Sequence, residues 1–282
     1  MFFKWRHSIM VSLCTVLLVI FSSVSWNSAQ AAVPATGAEA ACMIDADTGK
    51  ILYQVNPTKW MHPASTTKIV TLITALDQKA DVLDQPLQIS SYAANTEPSS
   101  LGIAPGDQLS VREALRGMMV VSGNDAAVAV AETLGGSVVG YADMMNAEAV
   151  KMGATHTHFV NPHGLTAPKH YTTAVDMAKM AAYGMKHFPE FRYIVSLTSY
   201  DVQYLNGRAP KHVTTTNHFL TSGYKGANGI KTGFTNAAGD CLVASATRDG
   251  HTLIVVLFND DNRWTDAPAI LDYGFRRLRT EK

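Results

Sequence analysis

The chain has 282 residues, of which 47% are hydrophobic and 16% are charged, and its 23 basic residues balance its 23 acidic ones. This length and apolar content allow one fairly large globular domain or two small ones, each with a buried core. Because no basic excess or basic block is present, the composition argues against nucleic acid as the main partner.

The N-terminal segment differs from the rest of the chain. Lys4 and Arg6 precede the apolar run Ile9–Val24, and the small-x-small pattern Ala29-Gln30-Ala31 follows it. These features are typical of a secretory signal peptide, whereas a membrane-spanning helix needs ~20 apolar residues. The sequence therefore predicts a cleaved signal peptide over residues 1–31 and a function outside the cytoplasm. An uncleaved membrane anchor is the alternative.

The first elements after this segment are two predicted strands. Ala40–Asp45 and Ile51–Val55 are short apolar runs on either side of Asp47-Thr48-Gly49, which is typical of a β-hairpin. From Pro63 onward the pattern changes, because apolar residues recur at helical spacing after Lys68.

Stronger helix signals follow in the middle of the chain. Ser110 and Glu113 form a capping-box pattern before an amphipathic run. We predict that this helix stops at Ser122-Gly123-Asn124 and that a second runs from Asp125 to Leu134. The mainly helical region is predicted to extend from about residue 62 to 190.

Strand patterns return near the C-terminal end. Ile230–Phe234 is a short strand pattern, and Cys241–Ala246 and Thr252–Phe258 flank the turn Arg248-Asp249-Gly250. Ala267–Leu278 is predicted to be a helix. Because strands from both ends bracket a helical middle, the simplest packing is an α+β fold with helices against one antiparallel sheet.

Three short motifs indicate chemistry. Ser65 and Lys68 in the stretch Pro63-Ala64-Ser65-Thr66-Thr67-Lys68 would share one helix face. A serine becomes a nucleophile when a base takes its proton, and a lysine is such a base only when burial or a second cation lowers its pKa. The pair alone is a weak signal. Ser122-Gly123-Asn124 in a helix break and Lys231-Thr232-Gly233 on a strand complete the order typical of penicillin-recognising serine enzymes.

On these motifs the chain resembles the serine-type D-alanyl-D-alanine carboxypeptidases, the low-molecular-weight penicillin-binding proteins. The resemblance runs from about Ala40 to Leu278 and includes three further stretches: Phe159-Val160-Asn161-Pro162-His163-Gly164-Leu165, Tyr171-Thr172-Thr173-Ala174 and Ala238-Gly239-Asp240-Cys241-Leu242. It implies a β-lactamase/transpeptidase-like fold, with a five-stranded antiparallel sheet and a helical subdomain, in a single catalytic domain over residues 32–282. It implies neither cofactor nor metal.

The same resemblance implies a role for each motif residue. Ser65 would be the nucleophile, Lys68 the general base and Ser122 a proton relay. The implied substrate-binding residues are Asn124, Lys231, Thr232, Gly233 and Phe234. The backbone N–H groups of Ser65 and Phe234 would form an oxyanion hole. The implied partners are a peptidoglycan stem peptide ending in D-Ala-D-Ala and β-lactam antibiotics as covalent inhibitors.

Two departures from the family pattern lead to further expectations. Many relatives carry an arginine just before the Leu-Ile of the last strand, where this chain has Thr252, so carboxylate recognition is expected to depend more on Thr232 and Lys231. Many relatives also have a second domain and a terminal membrane helix. Because this chain ends soon after Arg279, we expect no C-terminal membrane anchor and a soluble exported protein.

The cysteines and two histidines carry simpler predictions. Cys14 lies within the predicted signal peptide, which leaves Cys42 and Cys241. The sheet order implied by the resemblance separates their strands by another strand. Two strand spacings of ~9.6 Å exceed the ~7 Å Cα limit for a disulfide, so we expect free thiols. His156 and His158 lack a third ligand pattern and are not expected to bind metal.

Four functions remain open on this sequence. The leading hypothesis is a DD-carboxypeptidase that removes the terminal D-alanine through an acyl-enzyme on Ser65. A DD-transpeptidase or DD-endopeptidase of the same fold is a close alternative. A β-lactamase would need a glutamate-bearing loop, for which the segment between Asn124 and Lys231 shows no convincing counterpart. An inactive wall-binding homologue is the last alternative.

Overall fold

The computed structural model of the protein describes residues 32–280, so the predicted signal peptide lies outside the described residues. Its main sheet has five antiparallel strands in the order β2-β1-β7-β6-β5. These strands are β1 (Ala40–Asp45), β2 (Ile51–Val55), β5 (Ala227–Thr235), β6 (Gly239–Arg248) and β7 (His251–Phe258), and a separate two-stranded sheet comprises β3 (Ser199–Val202) and β4 (Lys211–Thr214). The predicted α+β fold with a five-stranded antiparallel sheet is confirmed.

Helices cover both faces of this sheet. They are α1 (Lys68–Gln78), α2 (Ser91–Ala94), α3 (Val111–Val121), α4 (Asn124–Gly135), α5 (Val138–Lys151), α6 (Ala174–His187), α7 (Pro189–Val195), α8 (His218–Thr221) and α9 (Arg263–Thr280), with 3-10 helices at Ala64–Thr67 and Ala80–Val82. Helix α6 packs against β1 and β7 on one face, and α9 packs against β7 and β6. The sheet is therefore the middle layer of the molecule.

Alternation along β1 shows how the two faces separate. Cys42 and Ile44 belong to the apolar cluster that includes α1 and α6, while Ala41 and Met43 belong to the cluster that includes α9. Successive side chains of a strand point to opposite faces, so a strand covered on both sides is apolar along most of its length. All six residues of β1 are accordingly buried.

Several boundaries differ from the sequence prediction. Helix α9 begins at Arg263 rather than Ala267, because its first turn precedes Pro268 inside the helix. The Ser110 hydroxyl accepts from the Glu113 N–H at 3.2 Å, as a capping box requires. The Glu113 carboxylate, however, bonds Arg116 and Tyr200 instead of returning to the helix start. Only the serine half of the predicted capping box is therefore formed.

The two cysteines of the described chain are free and buried, as predicted. Cys42 on β1 and Val243 on β6 both pair with Val256, so β7 separates the two cysteine-bearing strands. Burial raises the pKa of each of the two thiols, Cys42 and Cys241, to about 12. Within residues 32–280, none of the helices combines the length and the apolar character needed to cross a membrane.

Candidate active site

Ser65 and Lys68 meet where a 3-10 turn becomes an α-helix. Ser65 lies in the 3-10 helix Ala64–Thr67, and Lys68 is the first residue of α1. Side chains three residues apart are eclipsed on a 3-10 helix, so the tight turn brings them together. The Lys68 Nζ lies 3.0 Å from the Ser65 Oγ. Ser65 is partly exposed, whereas Lys68 is fully buried.

Three oxygen atoms surround the Lys68 amine. Its Nζ lies 2.6 Å from the Asn124 Oδ1 and 2.7 Å from the His163 carbonyl oxygen, in addition to the Ser65 Oγ. The amide and carbonyl oxygens only accept hydrogen bonds. A neutral amine would therefore donate its two N–H groups to them and direct its lone pair at the Ser65 hydroxyl.

Burial favours that neutral form. Desolvation is the largest cause that lowers the pKa of Lys68 well below its usual value, and the charge of Lys231 lowers it further, while Asp125 acts in the opposite direction. A buried lysine loses the hydration of its ammonium and shifts towards the amine. The pair has the geometry and the electrostatics of a serine with its base.

Ser122 and Asn124 enter the site from the junction of two helices, and the predicted break there is confirmed. Ser122 ends α3 in a left-handed conformation with φ 63°, and α4 begins at Asn124. The left-handed angle belongs to Ser122 and not to Gly123, whose φ is −61°. Glycine is needed at position 123 because the Leu101 backbone packs closely against it, and a Cβ there would lie 2.9 Å from the Leu101 N.

Lys231 reaches the same junction from the sheet. It is 1% exposed, and its Nζ donates to the Ser122 Oγ at 2.9 Å and to the Thr232 carbonyl oxygen at 3.0 Å. Burial lowers the pKa of Lys231 to about 7. Ser122 therefore bonds one buried lysine while Asn124 bonds the other.

Strand β5 forms one wall of the site because it is an edge strand. Lys231 contacts Ser122, and two residues later a Cβ on Gly233 would lie 2.9 Å from the Ser65 N. The alternate residues, Thr232 and Phe234, therefore face the opposite side of the strand. Glycine at 233 keeps the Ser65 amide clear, and Phe234 is 60% exposed.

A cleft of about 460 Å³ joins these parts. Six of the eight predicted site residues line it, namely Ser65, Ser122, Asn124, Thr232, Gly233 and Phe234. Lys68 and Lys231 lie buried behind this lining and contact it through their Nζ atoms. His156 and His158 do not line the cleft, and no group of three metal-ligating side chains occurs among the described residues.

The segment between α5 and α6 supports the serine turn from behind. Gly164 has φ +93°, and a Cβ there would collide with the Ala64 carbonyl oxygen. The Asn161 Oδ1 accepts from the Gly164 N–H at 2.7 Å, and the Asn161 Nδ2 donates to the Leu165 carbonyl oxygen at 2.9 Å. The stretch Phe159–Leu165 thus contacts the turn through backbone atoms.

His170 holds the same turn from a second direction. The Val160 N–H donates to its Nδ1 at 3.1 Å, so the proton lies on Nε2, which donates to the Thr67 Oγ1 at 2.9 Å. Burial is the main cause that lowers the pKa of His170 and of His163 to about 3. Both imidazoles are therefore neutral at pH 7.

Sequence reasoning missed one cation of the cleft. Thr252, which stands where the family pattern has an arginine, pairs with Thr247 on β6 and does not line the cleft. Arg263 lines it instead, from the first turn of α9, where its guanidinium pairs with Asp240 and stacks over Trp264. The available signal was an Arg-Trp pair after the last strand, four residues before the predicted helix start.

Comparison with known proteins agrees with this geometry. The family model described as D-alanyl-D-alanine carboxypeptidase matches residues 27–262. The chain is 36% identical over 250 residues to D-alanyl-D-alanine carboxypeptidase DacF of Bacillus subtilis, across 86% of this chain and 63% of that protein. It is 33% identical over 253 residues to DacB2 of Mycobacterium tuberculosis, across 86% of this chain and 84% of that protein. The chain thus spans less than two thirds of DacF.

A solved structure extends the likeness to the fold. The crystal structure of the Streptomyces K15 DD-transpeptidase matches with a TM-score of 0.81 and 31% identity, covering 87% of this chain and 99% of that one. The predicted transpeptidase-like fold is confirmed by this match. Family model, relatives and fold agree over most of the chain, and the chain belongs to the D-alanyl-D-alanine carboxypeptidase family.

Proposed function

We propose that the protein is an exported serine DD-peptidase that removes the terminal D-alanine from peptidoglycan stem peptides through an acyl-enzyme on Ser65. The observation that carries the proposal is the buried Lys68 amine, which has two oxygen acceptors besides the Ser65 hydroxyl. Family membership supports the substrate class. The signal-peptide pattern before residue 32 supports export.

In the acylation step, neutral Lys68 takes the Ser65 proton while the Oγ attacks the carbonyl carbon between the two D-alanines. The oxyanion that forms would accept from the backbone N–H groups of Ser65 and Phe234. One such preorganised donor is worth about 10²-fold or more in rate. The clearance at Gly233 supports this role, because the Ser65 N–H remains accessible beside the strand edge.

The leaving amine then needs a proton as its bond to the carbonyl carbon breaks. Ser122 is placed to deliver it, since its hydroxyl bonds the Lys231 Nζ at 2.9 Å. Lys68 passes the proton that it took from Ser65 to the Ser122 oxygen as the Ser122 proton moves to the departing D-alanine. An ester remains on the Ser65 Oγ, and Lys68 is neutral again. Asn124 keeps Lys68 oriented, and its Nδ2 also donates to the Glu97 carbonyl oxygen at 2.8 Å.

Substrate binding would use the outer edge of β5 and the cations beside it. An extended peptide can add to an edge strand through main-chain hydrogen bonds. The terminal carboxylate would lie near Thr232, whose hydroxyl is 3.3 Å from that of Thr216. Arg263 in the same cleft supplies the fixed positive charge, and Lys231 supplies a second one when protonated.

Hydrolysis of the ester closes the cycle. A water molecule gives a proton to Lys68, its oxygen attacks the ester carbonyl, and Ser65 recovers its proton. Among the described residues that line the cleft, none is aspartate or glutamate. A lining without a carboxylate favours slow hydrolysis of the penicilloyl ester over the rapid turnover of a β-lactamase.

The test is intact mass spectrometry after exposure to penicillin, followed by D-alanine release from a pentapeptide. We expect a covalent adduct and D-alanine release for the wild type, and neither for Ser65→Ala. A wild-type protein that forms no adduct would contradict the proposal and favour an inactive homologue. Rapid release of hydrolysed penicillin would instead favour a β-lactamase. Export is tested by the N-terminal sequence of the secreted protein, which we expect to begin after residue 31.

A DD-transpeptidase is the second candidate, because the solved relative is described as a DD-transpeptidase and shares the fold across 87% of this chain. Both activities use the same acyl-enzyme and differ in the acceptor. Product analysis with the pentapeptide and an added amino acceptor separates them. If the main products are free D-alanine and the shortened peptide, the protein is a carboxypeptidase. If the main product is the peptide joined to the added amine, it is a transpeptidase.

A further inference from the structure

We propose that Trp264 and His218 form a wall that limits the size of the leaving residue, so that a single D-amino acid is released in preference to a cross-linked one. The inference rests on the proposed function and names a specificity element for it. Neither residue belongs to the three sequence motifs, and both line the cleft.

The position of the wall follows from alternation along β5. Gly233 faces the Ser65 turn, so its neighbours Thr232 and Phe234 face the other side of the strand. On that side Thr232 pairs with Leu242 of the apolar cluster beneath α9, and Phe219 of α8 and Trp264 of α9 pack into the same cluster. The cleft therefore continues around the strand edge, from the nucleophile to the aromatic pair.

Both ends of the wall are anchored to residues beside the proposed carboxylate site. Arg263 pairs with Asp240, which is the β6 partner of Phe234. At the other end, His218 follows Thr216 by two residues, and the Thr216 hydroxyl contacts that of Thr232. The aromatic pair thus extends alongside the Thr232–Phe234 segment.

The contacts of the Trp264 side chain hold its ring in one orientation. The Arg263 guanidinium lies 4.7 Å from its ring centroid, and the His218 ring meets it edge-on at 5.4 Å and 83°. Such cation–π and edge-to-face contacts restrict the ring. The ring is half-buried, so part of it packs on the core while part faces the cleft.

This placement has a chemical consequence for the leaving group. A terminal D-alanine whose carboxylate lies among Thr216, Thr232 and Arg263 brings only a methyl group towards the aromatic pair. In a cross-linked peptide the leaving residue carries a second peptide on its side chain, which needs the volume that Trp264 and His218 occupy. Discrimination by pocket size is modest for one methylene, at about 10- to 200-fold, and grows with larger groups.

The experiment compares two substrates in four proteins. The ratio of kcat/KM for a cross-linked peptide dimer to that for a diacyl-L-Lys-D-Ala-D-Ala tripeptide is measured for the wild type, Trp264→Leu, His218→Ala and Trp60→Leu. Trp60 is the matched control, because it is 63% exposed, stacks on Tyr171 and does not line the cleft. We expect the ratio to rise about tenfold or more in Trp264→Leu, several-fold in His218→Ala and not at all in the control.

Penicillin acylation of Ser65 separates the failure of this inference from failure of the proposed function. Each variant must form the adduct at a rate within a few-fold of the wild type, which shows that the nucleophile side is intact. If Trp264→Leu forms the adduct normally but its dimer-to-tripeptide ratio of kcat/KM is unchanged, the proposal that Trp264 limits the size of the leaving residue is wrong. A wild type that prefers the dimer overturns it as well. A wild type that forms no adduct and cleaves neither substrate overturns both proposals. If Trp264→Leu does not fold, Trp264→Phe is used and must show a smaller rise.

Discussion

The helical side and the sheet side of the cleft each contribute one fully buried lysine, and the two are held differently. Lys68 has three oxygen neighbours, one of them the Ser65 hydroxyl, whereas Lys231 has the Ser122 hydroxyl and its neighbour's carbonyl oxygen. The charge of Lys231 lowers the pKa of Lys68, but burial alone accounts for the pKa of about 7 at Lys231. Burial thus makes both lysines weak bases, while the acceptors around each amine decide where its lone pair points.

The largest expected effect compares replacement of the two lysines. Lys68→Met should slow penicillin acylation by about 10³-fold or more, because the base that activates Ser65 is lost. Lys231→Met should cost about 10²-fold at most, because Lys68 and its three oxygen neighbours remain. The measurement is the rate of adduct formation by time-resolved mass spectrometry. Equal losses for the two variants would contradict the division of roles.

The second expectation compares two glycines that approach the Ser65 turn from opposite sides. Gly164→Ala requires φ +93° and collides with the Ala64 carbonyl oxygen, so it should lower the free energy of unfolding by about 3 kcal/mol or more. Gly233→Ala meets atoms at 2.9–3.2 Å, including the Ser65 N, so the loss should be about 1–2 kcal/mol.

Acylation should rank these two variants in a different way. A Cβ at position 233 crowds the Ser65 amide itself, so the Gly233→Ala protein should acylate at least about tenfold more slowly even where it is fully folded. Denaturant unfolding and adduct formation, measured on the same preparations, separate stability from chemistry. A Gly233→Ala protein with wild-type acylation would show that the clearance at Ser65 is not needed.

Parts of the molecule differ in how far their structure could be predicted from the sequence. Strands β1 and β2 end at the predicted residues, because apolar runs bounded by a Gly-containing turn define a hairpin locally. The eight predicted site residues came from the family resemblance, which short motifs made visible. The β3–β4 pair was missed, since its strands are short and half exposed.

The missed parts of the site depend on contacts between distant segments. His170 bonds Thr67 across 103 positions of sequence, and no local pattern marks a histidine with such a partner. Arg263 and Trp264 were missed because the helix was predicted to begin only at Ala267, whereas its first turn precedes Pro268. The sequence therefore indicated candidate residues that share one cleft, but not the residues that support or enclose that cleft.

A third, smaller effect concerns the histidines behind the Ser65 turn. Burial lowers the pKa of both His163 and His170 to about 3, with the remaining lowering at His170 due to His62 and His158 and at His163 due to Lys68 and His170. The unfolded chain binds these protons near pH 6.5 while the folded chain does not. Their contribution to stability is therefore complete above pH 6.5 and lost as the pH falls towards 3.

Replacing one of these histidines isolates its contribution to the pH dependence of the unfolding free energy. His170→Gln keeps a side-chain N–H for Thr67 but removes the titration, so the slope of unfolding free energy between pH 6 and 4 should decrease by about 1.4 kcal/mol per pH unit. Urea unfolding at several pH values measures the slope. His156→Gln is the control, because His156 is an exposed residue outside the cleft. An unchanged slope in His170→Gln would mean that His170 is protonated in the folded protein at pH 6.

The smallest expected effect returns to the sheet-side lysine. With a pKa of about 7, Lys231 loses its charge as the pH rises above neutrality, while Arg263 in the same cleft stays charged. The KM for a substrate with a free carboxylate should therefore rise several-fold between pH 7 and 9, because one of two cations is lost. The Lys231→Met protein, which lacks that charge at every pH, should show a KM that is high and constant over the same range. A substrate amidated at its C-terminus should show no such rise in either protein, and a pH-dependent KM for that amide would assign the titration to a group other than Lys231.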